Sequence, residues 1–428
     1  MKKKKVYMLS DSIKSTTGNA RVTRGLLKGL QKLGYDVANI AIAAEEPEQK
    51  YEGIKLLPIS QHGFDNISVQ TFLHKLTMYL ERDKPDYFIV LGDEIYYHLM
   101  GLGKINKNFL KKIGTKFIFW VTVDSDVRLC LENSYKTPYN PNVEIYNAAN
   151  HVVTTSDYGK KVLEHEFVKV DRTIWEFVDT DEFVPVGKDK KIKLRTEYRL
   201  RKDDFIFLSV GRCMRRKNPE LMIESLYPLL IEYPNARLFC VIPDYDKDDA
   251  LNLVDFCKRV MVSRDKYGNR DLIAEEKILF LTVNKQAMRV ANGVDDTEIV
   301  KLHQLSDAFI IGTTNEGFNL NFGESMAVGN PYIGSNNTTI PELSNNGEVG
   351  FLAPTLFETH VGQGMNLPNT TVEELRAQAK KVLDLSPEEM DKVREKNRKF
   401  IEQQMPRGKC ITAWHKFFKS LENDEGGK

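Results

Sequence analysis

Short apolar runs alternate with amphipathic stretches along most of the chain. The first run, residues 6–9, leads through a polar loop to Val22, Leu26, Leu27, Leu30 and Leu33 at helical spacing, and Gly34 stops that helix before a second run at 37–42. Runs at 86–91 and 117–123 follow, separated by a helical pattern at 71–81 and by a basic segment, 104–116, with Ile105, Phe109, Leu110 and Ile113 on one side. The second half repeats the scheme. Residues 205–210, 237–242, 278–282 and 308–311 predict buried strands, and helical patterns carry Leu221, Ile223, Leu226 and Leu230, then cover 297–305, 372–383 and 387–403. Strands alternating with helices predict α/β domains with parallel sheets. The last helix, 410–421, has Trp414, Phe417, Phe418 and Leu421 in a stripe too large for solvent, so it is expected to pack on another element.

At 428 residues the chain exceeds one ordinary core, which predicts two domains of roughly 150–200 residues. A hydrophobic content of 41% and a formal charge of +1 describe a soluble globular protein and give no support for nucleic-acid binding. Five scattered cysteines, with no C-x-x-C pair, read as reduced thiols; they favour a cytoplasmic setting and no zinc site. The basic start MKKKK lacks the apolar core of a secretion signal, and no membrane span is indicated. The lysine-rich stretch 187–195 predicts a linker, and the polar stretch 262–277 a surface insertion.

Candidate chemistry concentrates in residues 313–335, TTNEGFNLNFGESMAVGNPYIGS. This is a strand, a turn holding Glu316 and Gly317, a helical pattern at 324–328, and the stops Gly329 and Pro331. Such a turn leaves unpaired N–H groups at a helix N-terminus, where a phosphate can sit. Glu316 in the turn and Glu324 in the helix would repel a bare phosphate but accept from sugar or ribose hydroxyls, so a nucleotide sugar fits better. Gly18 lies in the loop after the first strand, at the edge where open parallel sheets bind ligands; it serves equally as a tight-turn glycine. That loop lacks G-x-G-x-x-G, which excludes a dinucleotide fingerprint there. After the strand 205–210 come Gly211, Arg212, Arg215, Arg216 and Lys217; Arg212 with Lys217 is able to neutralise a departing diphosphate without metal, Arg215 and Arg216 add positive charge to the same loop, and a purely solvated role is the other reading for each. Asp124, Ser125 and Asp126 spell a D-x-D, the pattern with which paired carboxylates hold a divalent ion.

Glu316, Gly317, Phe318, Leu320, Glu324, Met326, Ala327, Gly329 and Pro331 resemble in register the signature E-G-F-x-L-x-x-x-E-x-M-A-x-G-x-P of the retaining GT-B glycosyltransferases, family 4 (glycosyl transferases group 1). Gly211, Arg212 and Lys217 are similar to that family's G-R-x-x-x-x-K. Val178, Asp179, Thr180, Asp181, Phe183 and Pro185 resemble its N-G-V-D-T-x-x-F-x-P, with Glu176 and Phe177 in place of Asn-Gly, and 340–354 resembles its P-E-L…G-x-x-G-F-L. A gapless reading puts Asp124 where relatives carry His.

The resemblance implies two Rossmann-like domains facing across a cleft, residues 1–187 on the acceptor side and 188–404 binding the nucleotide sugar, with 405–428 packing back on the first. It implies transfer of a sugar from a nucleoside diphosphate to an acceptor hydroxyl with retention, and no cofactor or metal. Glu324 would bind the ribose, Glu316 the sugar hydroxyls, and the backbone around Gly211 and of Gly317, Phe318, Asn319 and Leu320 the phosphates. Arg212 and Lys217 would take the leaving-group charge, with Asp124 near the reacting carbon and Gly18 and Asn19 toward the acceptor. Relatives that act on lipid-linked acceptors suggest membrane contact for 104–116; a crossover helix with solvated lysines is the other reading. Three alternative functions are a nucleotide-sugar 2-epimerase of the same fold, a catalytically inactive nucleotide-sugar-binding protein, and a metal-dependent enzyme using Asp124 and Asp126.

Overall fold

The structure, a computed structural model, describes residues 3–42, 44, 47–60, 67–93, 97, 100–125, 143–211, 215–241, 245–246, 251–263, 271–281, 294–361 and 365–426. Its first half forms an eight-stranded sheet from β1 (Lys5–Asp11), β2 (Asp36–Ile42), β3 (Gln49–Tyr51), β4 (Ile54–Pro58), β5 (Tyr87–Gly92), β6 (Lys116–Val121), β7 (His151–Thr154) and β8 (Arg172–Thr173). The order is β3-β4-β2-β1-β5-β6-β7-β8, and every pair but β3–β4 is parallel. The second half forms a parallel six-stranded sheet. Its strands are β9 (Phe205–Val210), β10 (Ala236–Val241), β13 (Ile278–Phe280), β14 (Ala308–Ile310), β15 (Tyr332–Asn336) and β16 (Phe351–Pro354), in the order β13-β10-β9-β14-β15-β16. Two antiparallel pairs stand outside both sheets: β11 (Tyr245–Asp246) with β12 (Leu251–Asn252), and β17 (Phe357–Val361) with β18 (Met365–Asn369).

Both faces of each sheet are covered, which is why the strands are almost uniformly apolar. In the first sheet Tyr7, Leu9, Phe88 and Val90 face one core, and Val6, Met8, Tyr87 and Ile89 face the other. In the second, Phe207 and Leu238 pack against one helical layer, and Ile206, Leu208 and Phe239 against the opposite one. Each sheet reverses its strand order once, between β1 and β5 and between β9 and β14. Loops leaving the carboxyl ends of strands at such a switch point diverge and leave a crevice.

The C-terminal helix, Arg407–Gly426, lies on the first sheet rather than the second. Trp414 packs edge-on to Trp120 at 5.1 Å between centroids, and Phe418 stacks on Tyr87 at 4.3 Å. Close approach depends on small residues in the helix Gly18–Lys32. A Cβ added at Gly25 would fall 2.5 Å from the Phe177 ring, and one at Gly29 would fall 2.1 Å from Ile411. Beside this contact Val178 N–H donates to the Met405 carbonyl at 3.0 Å, tying the end of the first half to the entry of the last helix.

Several expectations are corrected. The lysine-rich 187–195 is not a linker but part of the helix Lys188–Glu197. Its Lys191 and Arg195 reach the buried Asp307 at 2.7 and 2.5 Å, so a run that looks solvated is drawn inward by one carboxylate. Leu33 follows the last helical turn and is 49% exposed, outside the apolar stripe. Of the stretch 262–277, residues 264–270 lie outside the described residues; Leu272 and Lys277 are buried, the latter donating to the Pro234 carbonyl at 2.6 Å. In the basic segment, Leu110 is buried and Ile105, Phe109 and Ile113 pack against the first core, so its apolar side faces the sheet. Among the described residues no helix is long and apolar enough to cross a membrane.

Glu176, in the departure from the N-G-V-D-T pattern, is buried near Cys410, and desolvation pushes its carboxyl from the ordinary 4.5 up to about 8. The unfolded chain ionises this group in the usual carboxylate range while the folded chain keeps its proton, so its effect on stability is most favourable below 4.5 and fades as pH rises toward 8. Glu176→Gln should therefore stabilise the protein more at pH 8 than at pH 5. Urea unfolding midpoints of both proteins at the two pH values check this, and an equal change at both contradicts it.

Candidate functional site

The carboxyl edges of the two sheets face each other, and the loops from both switch points meet between them. From the second sheet come the turn after β9, with the short helix Arg215–Lys217, and the segment after β14 that enters the helix Leu320–Ala327. These two are laced together. Thr314 N–H donates to the Arg216 carbonyl at 2.8 Å, the Arg216 guanidinium to the Asn315 carbonyl at 3.1 Å, and the Asn321 amide to the Val210 carbonyl at 3.2 Å. Gly211 lies at the end of β9 within this crevice; Arg212 lies outside the described residues.

Lys217 points at Glu316, its ammonium 2.5 and 2.7 Å from the two carboxylate oxygens, and Arg216 stands 3.6 Å from the same group. Burial alone would raise the Glu316 carboxyl, but these cations outweigh it and hold it below its ordinary 4.5. Asn319, in the left-handed region at φ 68°, caps the helix Leu320–Ala327 by accepting from Phe322 N–H, and donates to the Tyr332 hydroxyl at 2.8 Å. Its side chain is thereby committed to structure. The first N–H groups of that helix have no partner within it. Phe318 is buried, edge-on to Trp175 of the first half at 6.1 Å.

The first sheet closes on this edge. A Cβ at Gly317 would fall 2.2 Å from Thr122, which follows β6, so only glycine permits the approach. Thr155 donates to the Gly317 carbonyl at 3.4 Å. Asp124, partly exposed, lies 3.8 Å from Arg216; its companion Asp126 lies outside the described residues. Gly18 begins the helix Gly18–Lys32 and abuts Leu320, while Asn19 occupies the first turn of that helix.

Glu324 lies inside the helix Leu320–Ala327, only 3% exposed. Its Oε1 pairs with Arg21 of the facing helix at 2.7 Å, and its Oε2 lies 3.6 Å from the buried His303. Desolvation would raise this carboxyl, and Arg21 with His303 brings it below 4.5. Arg24, one turn on from Arg21, pairs with Asp296 of the second half. A further clamp joins Glu342 to the N-terminus of the helix Asp157–His165: its two oxygens accept from Asp157 and Tyr158 N–H, each at 2.9 Å. Glu316 and Glu324 are 4% and 3% exposed in this arrangement of the two edges.

Glu316, Lys217, Asp124, Gly317 and Glu324 are thus brought to one gap, with Gly18 at its rim. Arg21, Arg24, Asp296, His303, Thr122 and Trp175 escaped sequence reasoning. The spacing of Arg21 and Arg24 on one helix face was the one available signal; nothing in a single chain reveals their partners on the far sheet.

Residues 190–400 match the family described as glycosyl transferases group 1. An uncharacterised glycosyltransferase of Methanocaldococcus jannaschii is 25% identical over 167 residues, 39% of this chain and 41% of that protein. The N-acetyl-alpha-D-glucosaminyl L-malate synthase of Bacillus anthracis is 24% identical over 204 residues, 47% of this chain and 45% of that protein. The matched region thus spans less than half the length of these curated relatives. Among solved structures, sucrose-phosphate synthase from Thermosynechococcus elongatus has a TM-score of 0.72 at 14% identity, covering 99% of this chain and 100% of that one. HepE from Anabaena, in complex with UDP and glucose, has a TM-score of 0.66 at 12% identity, covering 97% and 99%. The fold is GT-B, with two Rossmann-like domains.

Both buried carboxylates are ionised in the folded state below their ordinary 4.5, so the stability they contribute is present above that value and is lost as pH falls through their depressed folded values. The doubly substituted Glu316→Gln/Glu324→Gln protein should show a flatter fall in urea midpoint than the parent between pH 5 and pH 3. Parallel curves would show that neither carboxylate is held this way.

Proposed function

We propose that this chain, whose second half is a glycosyl transferases group 1 domain, transfers a sugar from a nucleoside-diphosphate sugar to an acceptor hydroxyl, with retention at the anomeric carbon. The observation that carries the reading is the convergence of Lys217, Glu316 and the N-terminus of the helix Leu320–Ala327 in one gap, with Asp124 facing them from the other sheet. Cations, unpaired N–H groups and a hydroxyl-accepting carboxylate are what a sugar diphosphate needs.

In this reading the donor diphosphate lies against the helix N-terminus and the turn after Gly211, and Glu324 receives the ribose hydroxyls after Arg21 withdraws. Glu316, steadied by Lys217, accepts from the sugar hydroxyls. As the bond from the anomeric carbon to the phosphate oxygen breaks, negative charge grows on that oxygen, and Lys217 with Arg212 neutralises it. The acceptor hydroxyl enters from the side of Gly18, Asn19 and Asp124, forms the new bond on the face the phosphate leaves, and gives its proton to the departing phosphate. These cations supply the charge that a metal ion supplies elsewhere, so the reaction is expected to proceed without one. The UDP bound by HepE makes uridine diphosphate sugars the first donors to test.

Lys217→Ala should lower turnover by on the order of a hundredfold or more, the scale of losing one preorganised charge contact. Incubation with labelled UDP, GDP and ADP sugars, with and without acceptor and with and without chelator, checks the reaction itself. Acceptor-dependent product with the donor's anomeric configuration, insensitive to chelator, is the expected result. An isomerised nucleotide sugar, or binding without turnover, would replace this reading with one of its alternatives.

A further inference from the structure

His303 sits on the helix Asp296–Leu305 and is fully buried, at 0% exposure. Its ring stacks on Phe309 at 5.6 Å between centroids and meets Phe183 edge-on at 5.8 Å, so its plane is held by aromatic neighbours on two sides. Among the described residues neither ring nitrogen has a hydrogen-bond partner, and the same holds for Oε2 of Glu324. His303 Nε2 and Glu324 Oε2 lie 3.6 Å apart, just beyond hydrogen-bonding distance. Buried polar atoms without partners are costly, and each of these two is the nearest remedy for the other. A small approach, with the ring proton on Nε2, satisfies both.

The two oxygens of Glu324 therefore have unlike partners. Oε1 is held by Arg21, which lies on the helix Gly18–Lys32 of the first half. Oε2 faces His303, which lies in the same half as Glu324, on the helix Asp296–Leu305. We propose that His303 is a positioning residue for Glu324: it holds Oε2 and the plane of the carboxylate, so that Oε1 is presented to the ribose hydroxyls once Arg21 has withdrawn. This rests on the ribose role of Glu324 given above. A ribose hydroxyl brings a donor but no charge, so after the exchange His303 is the polar group within the protein that keeps the buried carboxylate oriented.

The test compares affinity for a ribonucleoside diphosphate with affinity for its 2′,3′-dideoxy counterpart by titration calorimetry, using whichever of UDP, GDP and ADP the parent protein binds. His303→Phe keeps the aromatic packing and removes the donor; His303→Gln keeps an N–H donor; Glu324→Gln tests the underlying role. The expected result is that His303→Phe lowers the ribose preference about tenfold without altering dideoxy binding, the scale of one hydrogen bond to a charged group. His303→Gln should restore part of that preference, with both variants melting near the parent. Parental preference in His303→Phe, or equal loss for both ligands in the Phe and Gln variants, overturns the positioning role. If Glu324→Gln also leaves the preference intact, the ribose reading itself fails; if Glu324→Gln abolishes it while His303→Phe does not, only the role of His303 fails.

Discussion

Two carboxylates buried in one gap cannot remain ionised unless cations are buried with them, because removing an unpaired charge from water costs far more than a folded chain can offset. Glu316 meets this requirement within its own half, through Lys217 and Arg216. Glu324 meets it across the gap, through Arg21. The difference sets how the halves relate. The first pair lies within the second half, and the second joins the two halves.

Polar contacts across the gap include Arg21 on Glu324, Arg24 on Asp296, Arg216 near Asp124, and Glu342 on the helix Asp157–His165. Apolar contacts cross the gap as well, Phe318 with Trp175 and Leu320 with Gly18, and a larger apolar seam runs through Phe177, Ile411 and Trp414 against the helix Gly18–Lys32 and the first sheet. Polar contacts can be exchanged for water or for a ligand's own hydroxyls and phosphates at small net cost, while the apolar seam cannot. In the proposed function, a donor that brings hydroxyls and phosphates offers groups that can replace these ion pairs.

Asp124 illustrates how a departure from a family's pattern is absorbed. Asp124, which a gapless reading of the sequence sets against a His in the resembled pattern, lies 3.8 Å from Arg216, a cation of the turn that is not among the matched motif positions. The extra positive charge compensates the extra negative one. Glu176 shows the opposite outcome. Its place just before Val178 leaves it buried, desolvation pushes its carboxyl up to about 8, and it keeps its proton at neutral pH.

The strands, most helices and the motif around Glu316 were legible in the chain because they rest on local physics. Apolar periodicity, glycine stops and a turn into a helix are set by residues a few positions apart. The same local view misjudged 187–195, because the buried Asp307 that draws Lys191 and Arg195 inward is far away in sequence. It was silent on Arg21 and His303 for the same reason: each matters through Glu324, and their meeting is decided by two sheet edges coming face to face. Sequence alone determined which groups able to grip a sugar diphosphate are present; tertiary structure decided which oxygen of each carboxylate is held and by whom, since burial and pairing depend on distances between elements that no local pattern encodes.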